Sequence, residues 1–251
     1  MVSEKDLQQL DQPLKQQGLD VQGFESPRIL METVEENLVP LLDLAHRPVI
    51  SARQFSREQL IQISRLAAGY ETEPQRITRP LTGKILISAF YEPSTRTRLS
   101  FESAWHRLGG DIMSITDPAT TGIAKGESLF DVGEMLNHYG DMVVLRDSDE
   151  NAVYEMLEGL RIPIVNGGNG IDEHPTQAMA DIYTILKAHP GLAEPESMPD
   201  EKKIRIGIIG VPGRMRTIRS LLLYLSLFSA GIKEVVIISD DIDVFSYGQQ
   251  Q

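Results

Sequence analysis

Ile85-Leu86-Ile87-Ser88-Ala89-Phe90-Tyr91-Glu92-Pro93-Ser94-Thr95-Arg96-Thr97-Arg98-Leu99-Ser100-Phe101-Glu102-Ser103-Ala104-Trp105-His106-Arg107-Leu108-Gly109-Gly110 reads as a strand, a turn and a helix in succession. It opens with a short apolar run, as expected of a buried strand. Leu99 to Leu108 has a helical pattern and is stopped by Gly109-Gly110. Between them, Pro93 to Arg98 gathers hydroxyls and two guanidinium groups at a strand-to-helix turn. A helix N-terminus already favours an anion through its free N–H groups and its dipole. Arginine adds a bidentate fork suited to phosphate. Two arginines at a helix start oppose the dipole, and such local conflicts concentrate at functional sites. The stretch reads as a phosphate cradle without a glycine-rich loop. The plainer alternative is a capped helix start with two solvated arginines.

The same alternation continues outward. Apolar strand patterns fall at 84–91, 111–116, 141–146, 161–166, 204–210 and 234–239, and helical patterns at 98–108, 127–139, 151–160, 174–188 and 216–229. Short apolar runs alternating with helices predict an α/β fold, a parallel sheet flanked by helices on both faces. Upstream, Leu30, Val34, Leu38, Leu41 and Leu42 predict one amphipathic helix, and 55–69 another with Ser56 as its N-cap. The expected division is an N-terminal extension and helix over 1–44, whose first 28 residues are peripheral, and a first α/β domain over 45–188. A linker follows over 189–201, then a partial second domain over 202–251. That last part offers only two strands and one helix. A two-stranded sheet is marginal alone, so it leans on the first domain or is incomplete.

The chain has 251 residues, is 41% hydrophobic and 24% charged, and carries a net charge of −12. This acidity argues against nucleic-acid or anionic-membrane partners, and any anion site must be local. The absence of cysteine excludes disulfides and thiolate metal sites. No segment approaches the roughly 20 apolar residues of a membrane span. The N-terminal residues lack the apolar core of a signal peptide, so a cytoplasmic location is expected.

Further candidates sit at the ends of other strands. Gly167-Gly168-Asn169-Gly170 reads as a turn leading to His174-Pro175-Thr176-Gln177, which places His174 and Gln177 on one helical face. Histidine there can meet a polarised carbonyl or titrate near neutrality. The plainer reading is a glycine-rich turn before a proline at N1. Arg146 ends the strand Met142-Val143-Val144-Leu145. Asp117 to Glu127 reads as a mobile loop carrying Lys125. The turn Gly210-Val211-Pro212-Gly213, with Asp240 and Asp241 ending a later strand, lacks the G-x-G-x-x-G spacing of a dinucleotide site. Arg216 at the next helix start could instead hold a carboxylate.

Taken together, Phe90 to Glu102, Arg107-Leu108-Gly109-Gly110, Lys125-Gly126-Glu127-Ser128, Val143 to Arg146 and His174-Pro175-Thr176-Gln177-Ala178 closely resemble the aspartate/ornithine carbamoyltransferase family, over about residues 50–240. The resemblance implies a carbamoyl-phosphate domain followed by an amino-acid domain, and transfer of a carbamoyl group from carbamoyl phosphate to an amino acid in pyrimidine biosynthesis. It implies that Ser94, Thr95, Arg96 and Thr97 hold the phosphate and that Arg146, His174 and Gln177 contact the carbamoyl group. Arg96, His174 and Lys125 would be catalytic. Lys125 would reach into the site of a neighbouring subunit and, with Arg216, would bind L-aspartate. The partners implied are a homotrimer with shared sites and, in addition, regulatory or other subunits. No metal or organic cofactor is implied.

Met215-Arg216-Thr217-Ile218-Arg219-Ser220 is similar to the aspartate branch's Gly-Arg-Thr-x-His-Ser, and the ornithine branch's Asn-Asn pair is missing. The chain departs from the family at Thr121, where serine is usual, and at Met215 and Arg219. The family's chain also continues through further strands, a second aspartate-binding arginine and a closing helix, so an incomplete amino-acid domain is expected. Alternatives are a non-catalytic subunit that binds carbamoyl phosphate or phosphate, an enzyme with another amino-acid acceptor, and a dinucleotide enzyme.

Overall fold

The computed structural model describes residues 27–76, 78–194 and 198–239. The peripheral segment expected before residue 27, and Asp240 and Asp241, lie outside the described residues.

The chain begins with α1 (Pro27–Thr33) and α2 (Val39–Leu42), where one helix over 30–42 was expected. Pro40 sits in the first turn of α2, a place that tolerates its missing N–H, whereas a helix interior does not. The connecting backbone is satisfied by side chains instead. Gln62 Nε2 donates to Glu35 O at 3.0 Å, Arg65 Nε donates to Val34 O at 2.8 Å, and Val39 N donates to Asn37 Oδ1 at 3.1 Å. Asn37 belongs to the connection itself, and helix α3 (Arg57–Thr72) supplies Gln62 and Arg65. It starts at Ser56, as expected, in a capping box: Ser56 Oγ accepts from Gln59 N, and Gln59 Oε1 accepts from Ser56 N. Such a cap is worth about 1 kcal/mol.

Then strands and helices alternate: β1 (Ile85–Phe90), α4 (Thr95–Arg107), β2 (Asp111–Ile115), α5 (Leu129–Leu136), β3 (Met142–Asp147), α6 (Ala152–Gly159), β4 (Ile164–Asn169) and α7 (Pro175–Ala188). The four strands form one parallel sheet in the order β2-β1-β3-β4. The chain is α/β, and the sheet is covered on both faces. Leu86, Phe90, Val144 and Val165 pack with Phe101 and Trp105 of α4 on one face. Ile87, Ala89, Val143, Leu145 and Ile164 pack with Val132 and Leu136 of α5 and Val153 and Met156 of α6 on the other. The alternation along β1 follows from side chains pointing to opposite faces at successive residues.

The remaining elements are β5 (Ile204–Ile209), α8 (Arg216–Ser226) and β6 (Ile232–Ile238). β5 and β6 form a separate two-stranded parallel sheet. It does not stand alone. Ile218, Leu221, Tyr224 and Leu225 of α8 share one buried cluster with Leu30 of α1, Leu60 and Ala68 of α3, and Ile182 and Leu186 of α7. Tyr224 meets Phe55 edge-on, with ring centroids 6.2 Å apart. The proline-bearing stretch read as a linker is partly built into the same core. Pro190–Ala193 is a 3-10 helix with Leu192 and Ala193 buried, and Arg57 Nη2 donates to Leu192 O at 2.7 Å and Glu194 O at 2.8 Å. The other face of the small sheet stays open: Ile209 is 75% exposed and Ile238 is 55% exposed. Among the described residues, no helix is long and apolar enough to cross a membrane.

Helices α5 and α6 approach closely because each brings a glycine to the crossing. A Cβ on Gly159 would lie 2.3 Å from Phe130 O, and one on Gly133 would lie 2.7 Å from Met156 O. Gly159→Ala is expected to destabilise the fold by about 1–3 kcal/mol despite alanine's better helix propensity, because the backbone there cannot yield. Urea unfolding followed by circular dichroism checks this, with a lower midpoint and an unchanged slope expected.

Candidate functional site

The order β2-β1-β3-β4 reverses direction between β1 and β3. In open parallel sheets the crevice outside the carboxyl ends of the strands at such a point receives ligands. Three chain segments leave the sheet there. Glu92 and Ser94 follow β1, Arg146 lies near the end of β3, and Gly168 and Asn169 end β4 before the turn to His174. The stretch 167–169, expected to be a turn, belongs to β4 and is fully buried. Side chains hold it there: Asn166 Oδ1 accepts from Gly168 N at 2.7 Å, and Asn166 Nδ2 donates to Asn169 Oδ1 at 2.7 Å.

Helix α4 starts at Thr95, three residues before the expected start, so Thr95 to Arg98 form its first turn. Ser94 occupies the N-cap position in extended conformation, yet its side chain makes no capping hydrogen bond. The N-terminal N–H groups of α4 therefore have no side-chain cap among the described residues, which keeps their anion-attracting character.

A cleft of about 970 Å³ lies over this end of the sheet. Ser94, Arg96, Thr97, Arg146, His174, Gln177 and Arg216 all line it, together with Ser100, Phe101, Thr176, Asp181, Met215 and Thr217. Thr95 and Lys125 do not line it. Of the two arginines at the helix start only Arg96 faces the cleft; Arg98 Nη1 lies 4.0 Å from Glu102 Oε1, which also accepts from Ser88 and Ser114. Lys125 is exposed at the end of a 3-10 helix, Gly122–Lys125. The loop around it, read from the sequence as mobile, contains two 3-10 turns, Pro118–Thr120 and Gly122–Lys125, capped by Asp117 and Thr121.

Glu92 organises the cleft, and the sequence reading gave it no role. Its Oε1 accepts from Arg146 Nη2 at 2.9 Å and from Arg216 Nη2 at 2.8 Å; its Oε2 accepts from Arg216 Nη1 at 3.0 Å. One carboxylate thus ties the end of β3 to the start of α8, bidentate on the Arg216 side. Burial pushes the Glu92 carboxyl up, but the hydrogen bonds from Arg216 and the charges of both arginines outweigh it, and the net shift is downward. The only signal in the sequence was an acid wedged between a strand end and Pro93. Arg146 Nη1 also donates to Gly167 O at 3.1 Å.

His174 is 5% exposed. Burial first, then the charges of Arg146 and Arg216, pull its pKa down to about 4, with Glu92 opposing. It is neutral near pH 7. Thr176 Oγ1 lies 3.4 Å from Nδ1, and Nε2 is buried with no hydrogen-bond partner among the described residues. A hydroxyl donating to Nδ1 leaves the ring proton on Nε2. Gly168, at φ 108, is required on two counts: a Cβ there would lie 2.9 Å from Arg146 Nη1, 3.2 Å from His174 Cδ2 and 3.3 Å from Arg216 Nη1. Gln177 Nε2 reaches Asp181 Oδ1 at 3.4 Å, and burial raises the Asp181 pKa against that hydrogen bond. Asp181, like Glu92, was not among the expected site residues. The cleft therefore combines Arg96, Arg146 and Arg216, an uncapped helix start and a neutral imidazole. It can hold an anion at one end, polarise a carbonyl beside it and hold a second anion at Arg216.

The carbamoyl-P binding domain of the aspartate/ornithine carbamoyltransferases matches residues 47–187. An aspartate carbamoyltransferase catalytic subunit of Methanopyrus kandleri is 41% identical over 189 residues, covering 75% of this chain and 58% of the relative. That of Cellvibrio japonicus is 41% identical over 183 residues, covering 72% and 53%. This chain thus spans little more than half the length of these curated relatives. Among solved structures, the aspartate transcarbamoylase of Trypanosoma cruzi in complex with aspartate and phosphate superposes with a TM-score of 0.73 at 31% identity, covering 85% of this chain and 66% of that one. The same enzyme in complex with N-(phosphonacetyl)-L-aspartic acid gives 0.69 at 32% identity, covering 83% and 66%. The chain belongs to the aspartate/ornithine carbamoyltransferase family.

Proposed function

We propose that this chain is the catalytic polypeptide, or part of it, of an aspartate carbamoyltransferase, which transfers the carbamoyl group of carbamoyl phosphate to the amine of L-aspartate. The observation that carries this reading is the convergence of Arg96, Arg146, His174 and Arg216 on one cleft at the switch point of the sheet. The relatives' names and the ligands of the Trypanosoma cruzi enzyme support it.

In this reading the phosphate sits at the start of α4 on Ser94, Thr95, Arg96 and Thr97. Arg146 and the Nε2–H of His174 face the carbamoyl oxygen, with Gln177 near the carbamoyl group. Arg216 takes a carboxylate of aspartate. The amine attacks the carbamoyl carbon, the bond from that carbon to the phosphate oxygen breaks, and the departing phosphate accepts the proton the amine gives up. A neutral His174 donates a hydrogen bond to the oxygen as charge grows on it, and Arg96 offsets charge on the leaving phosphate. Holding two reactants in line contributes on the order of 7–11 kcal/mol at best. Because Lys125 lies outside this cleft, the reading places it in the site of an adjacent subunit of a homotrimer. The product would feed pyrimidine synthesis.

A colorimetric assay for carbamoyl aspartate tests the reading, with carbamoyl phosphate and L-aspartate as substrates. Product is expected from the wild type, and Arg96→Ala is expected to lower turnover by about a hundred-fold or more while leaving the circular dichroism spectrum unchanged. Binding of phosphate with no product formed would favour a non-catalytic phosphate-binding subunit.

Mixing inactive Lys125→Ala and His174→Ala chains should restore part of the activity, because some sites then combine two intact contributions. Absence of rescue despite demonstrated subunit exchange would place Lys125 outside the reaction.

The His174 ring should titrate near pH 4 when followed by NMR, well below the ordinary value of 6.5. Its folded pKa lies below its unfolded one, so the unfolded chain takes up the proton first as pH falls. Stability from this group is complete above about pH 6.5 and declines towards pH 4. His174→Gln should flatten that part of the stability profile measured by urea unfolding.

A further inference from the structure

The two residues before His174 are carboxylates that do not line the cleft. Glu173 is 4% exposed. Its Oε1 accepts from Ser51 Oγ at 2.6 Å, and its Oε2 accepts from Ala52 N at 2.8 Å and Ser220 Oγ at 2.9 Å. Ser220 is completely buried, and its Oγ accepts in turn from the His174 backbone N–H at 3.2 Å. Beside this ring, Asp172 Oδ1 accepts from Arg219 Nη1 at 2.7 Å.

Arg216, Arg219 and Ser220 lie at i, i+3 and i+4, on one face of α8. That face meets three carboxylates from the other side of the cleft: Glu92, Asp172 and Glu173. The Ser220 link lies about one helical turn from Arg216, and it is closed directly onto the backbone of His174. Burying a carboxylate costs several kcal/mol unless its oxygens are satisfied. Glu173 offsets that cost with three donors drawn from two places in the fold, the adjacent Ser51 and Ala52 and, on α8, Ser220.

We propose that Glu173 is a positioning residue, which through Ser220 sets the separation between His174 and Arg216. The inference rests on the reading given above, in which Arg216 takes a carboxylate of a ligand whose other end lies at the start of α4. Such a ligand bridges the two parts of the cleft, whereas inorganic phosphate touches only one. Glutamine can keep the geometry: its oxygen accepts from Ala52 and Ser220, and its amide donates to the rotatable Ser51 hydroxyl. Alanine cannot. Geometry and charge are therefore separable.

The test compares wild type, Glu173→Gln, Glu173→Ala and Ser220→Ala by isothermal titration calorimetry with two probes, inorganic phosphate and N-(phosphonacetyl)-L-aspartic acid. Phosphate affinity is expected to stay within about two-fold throughout, while affinity for the bridging probe falls about ten-fold or more in Glu173→Ala and Ser220→Ala and stays within about three-fold in Glu173→Gln. Equal losses for both probes, an unchanged bridging affinity in the Ser220→Ala chain, or a Glu173→Gln loss as large as that of Ser220→Ala would each overturn the proposal. If Glu173→Ala does not fold, Glu173→Gln and Ser220→Ala decide by the same criteria. A wild-type chain that binds neither probe would overturn the functional reading itself, a result distinct from any difference among variants.

Discussion

The Glu92 carboxylate is the contact on which the cleft depends. Arg146 lies on β3 of the main sheet and Arg216 starts α8, between the two strands of the small sheet; both donate to Oε1, and Arg216 donates to Oε2 as well. Each guanidinium depresses the pKa of its neighbours: Arg216 acts on Arg146, and both act on His174. Two cations so placed repel, and burial adds to the cost. Glu92 offsets the repulsion and joins the main sheet to the small one at the same point. Without an acid there, the small sheet would be held by apolar packing and by the two links at Arg219 and Ser220 alone on this side.

The positive site is set within a strongly acidic chain of net charge −12. Long-range attraction therefore cannot gather anions to it, and screening limits such fields to about 8–10 Å at ordinary ionic strength. Recognition has to rest on short-range geometry: a planar fork at Arg216, an imidazole held neutral, and backbone N–H groups at the start of α4. Gly168 belongs to the same economy of space, since any side chain there would fill the volume between the three cationic or aromatic groups.

Much of this was legible in the sequence because strand and helix periods differ and each strand end carried a distinctive residue. The six strands and the order of helices follow from apolar runs. Seven of the nine expected site residues line one cleft, because a parallel sheet brings its strand ends to one edge. What the sequence hid were effects of tertiary context. Gly167 to Asn169 looked like a turn, yet Asn166 and a neighbouring strand hold it in the sheet. The 30–42 pattern looked like one helix, yet Pro40 divides it and α3 side chains satisfy the exposed backbone. Glu92 looked like part of a motif, and its role appears only when two arginines distant in sequence meet it. Lys125 lies away from the cleft because it belongs to a loop that packs elsewhere in the same chain.

The helix start at Thr95 lacks the side-chain cap that usually closes such an end. A cap is worth about 1 kcal/mol, so α4 forgoes that much intrinsic stability. An anion seated on those N–H groups returns it and adds more in proportion to the logarithm of its concentration over its dissociation constant. Were an anion to bind there, as proposed above, the melting temperature of this protein would rise with the anion's concentration.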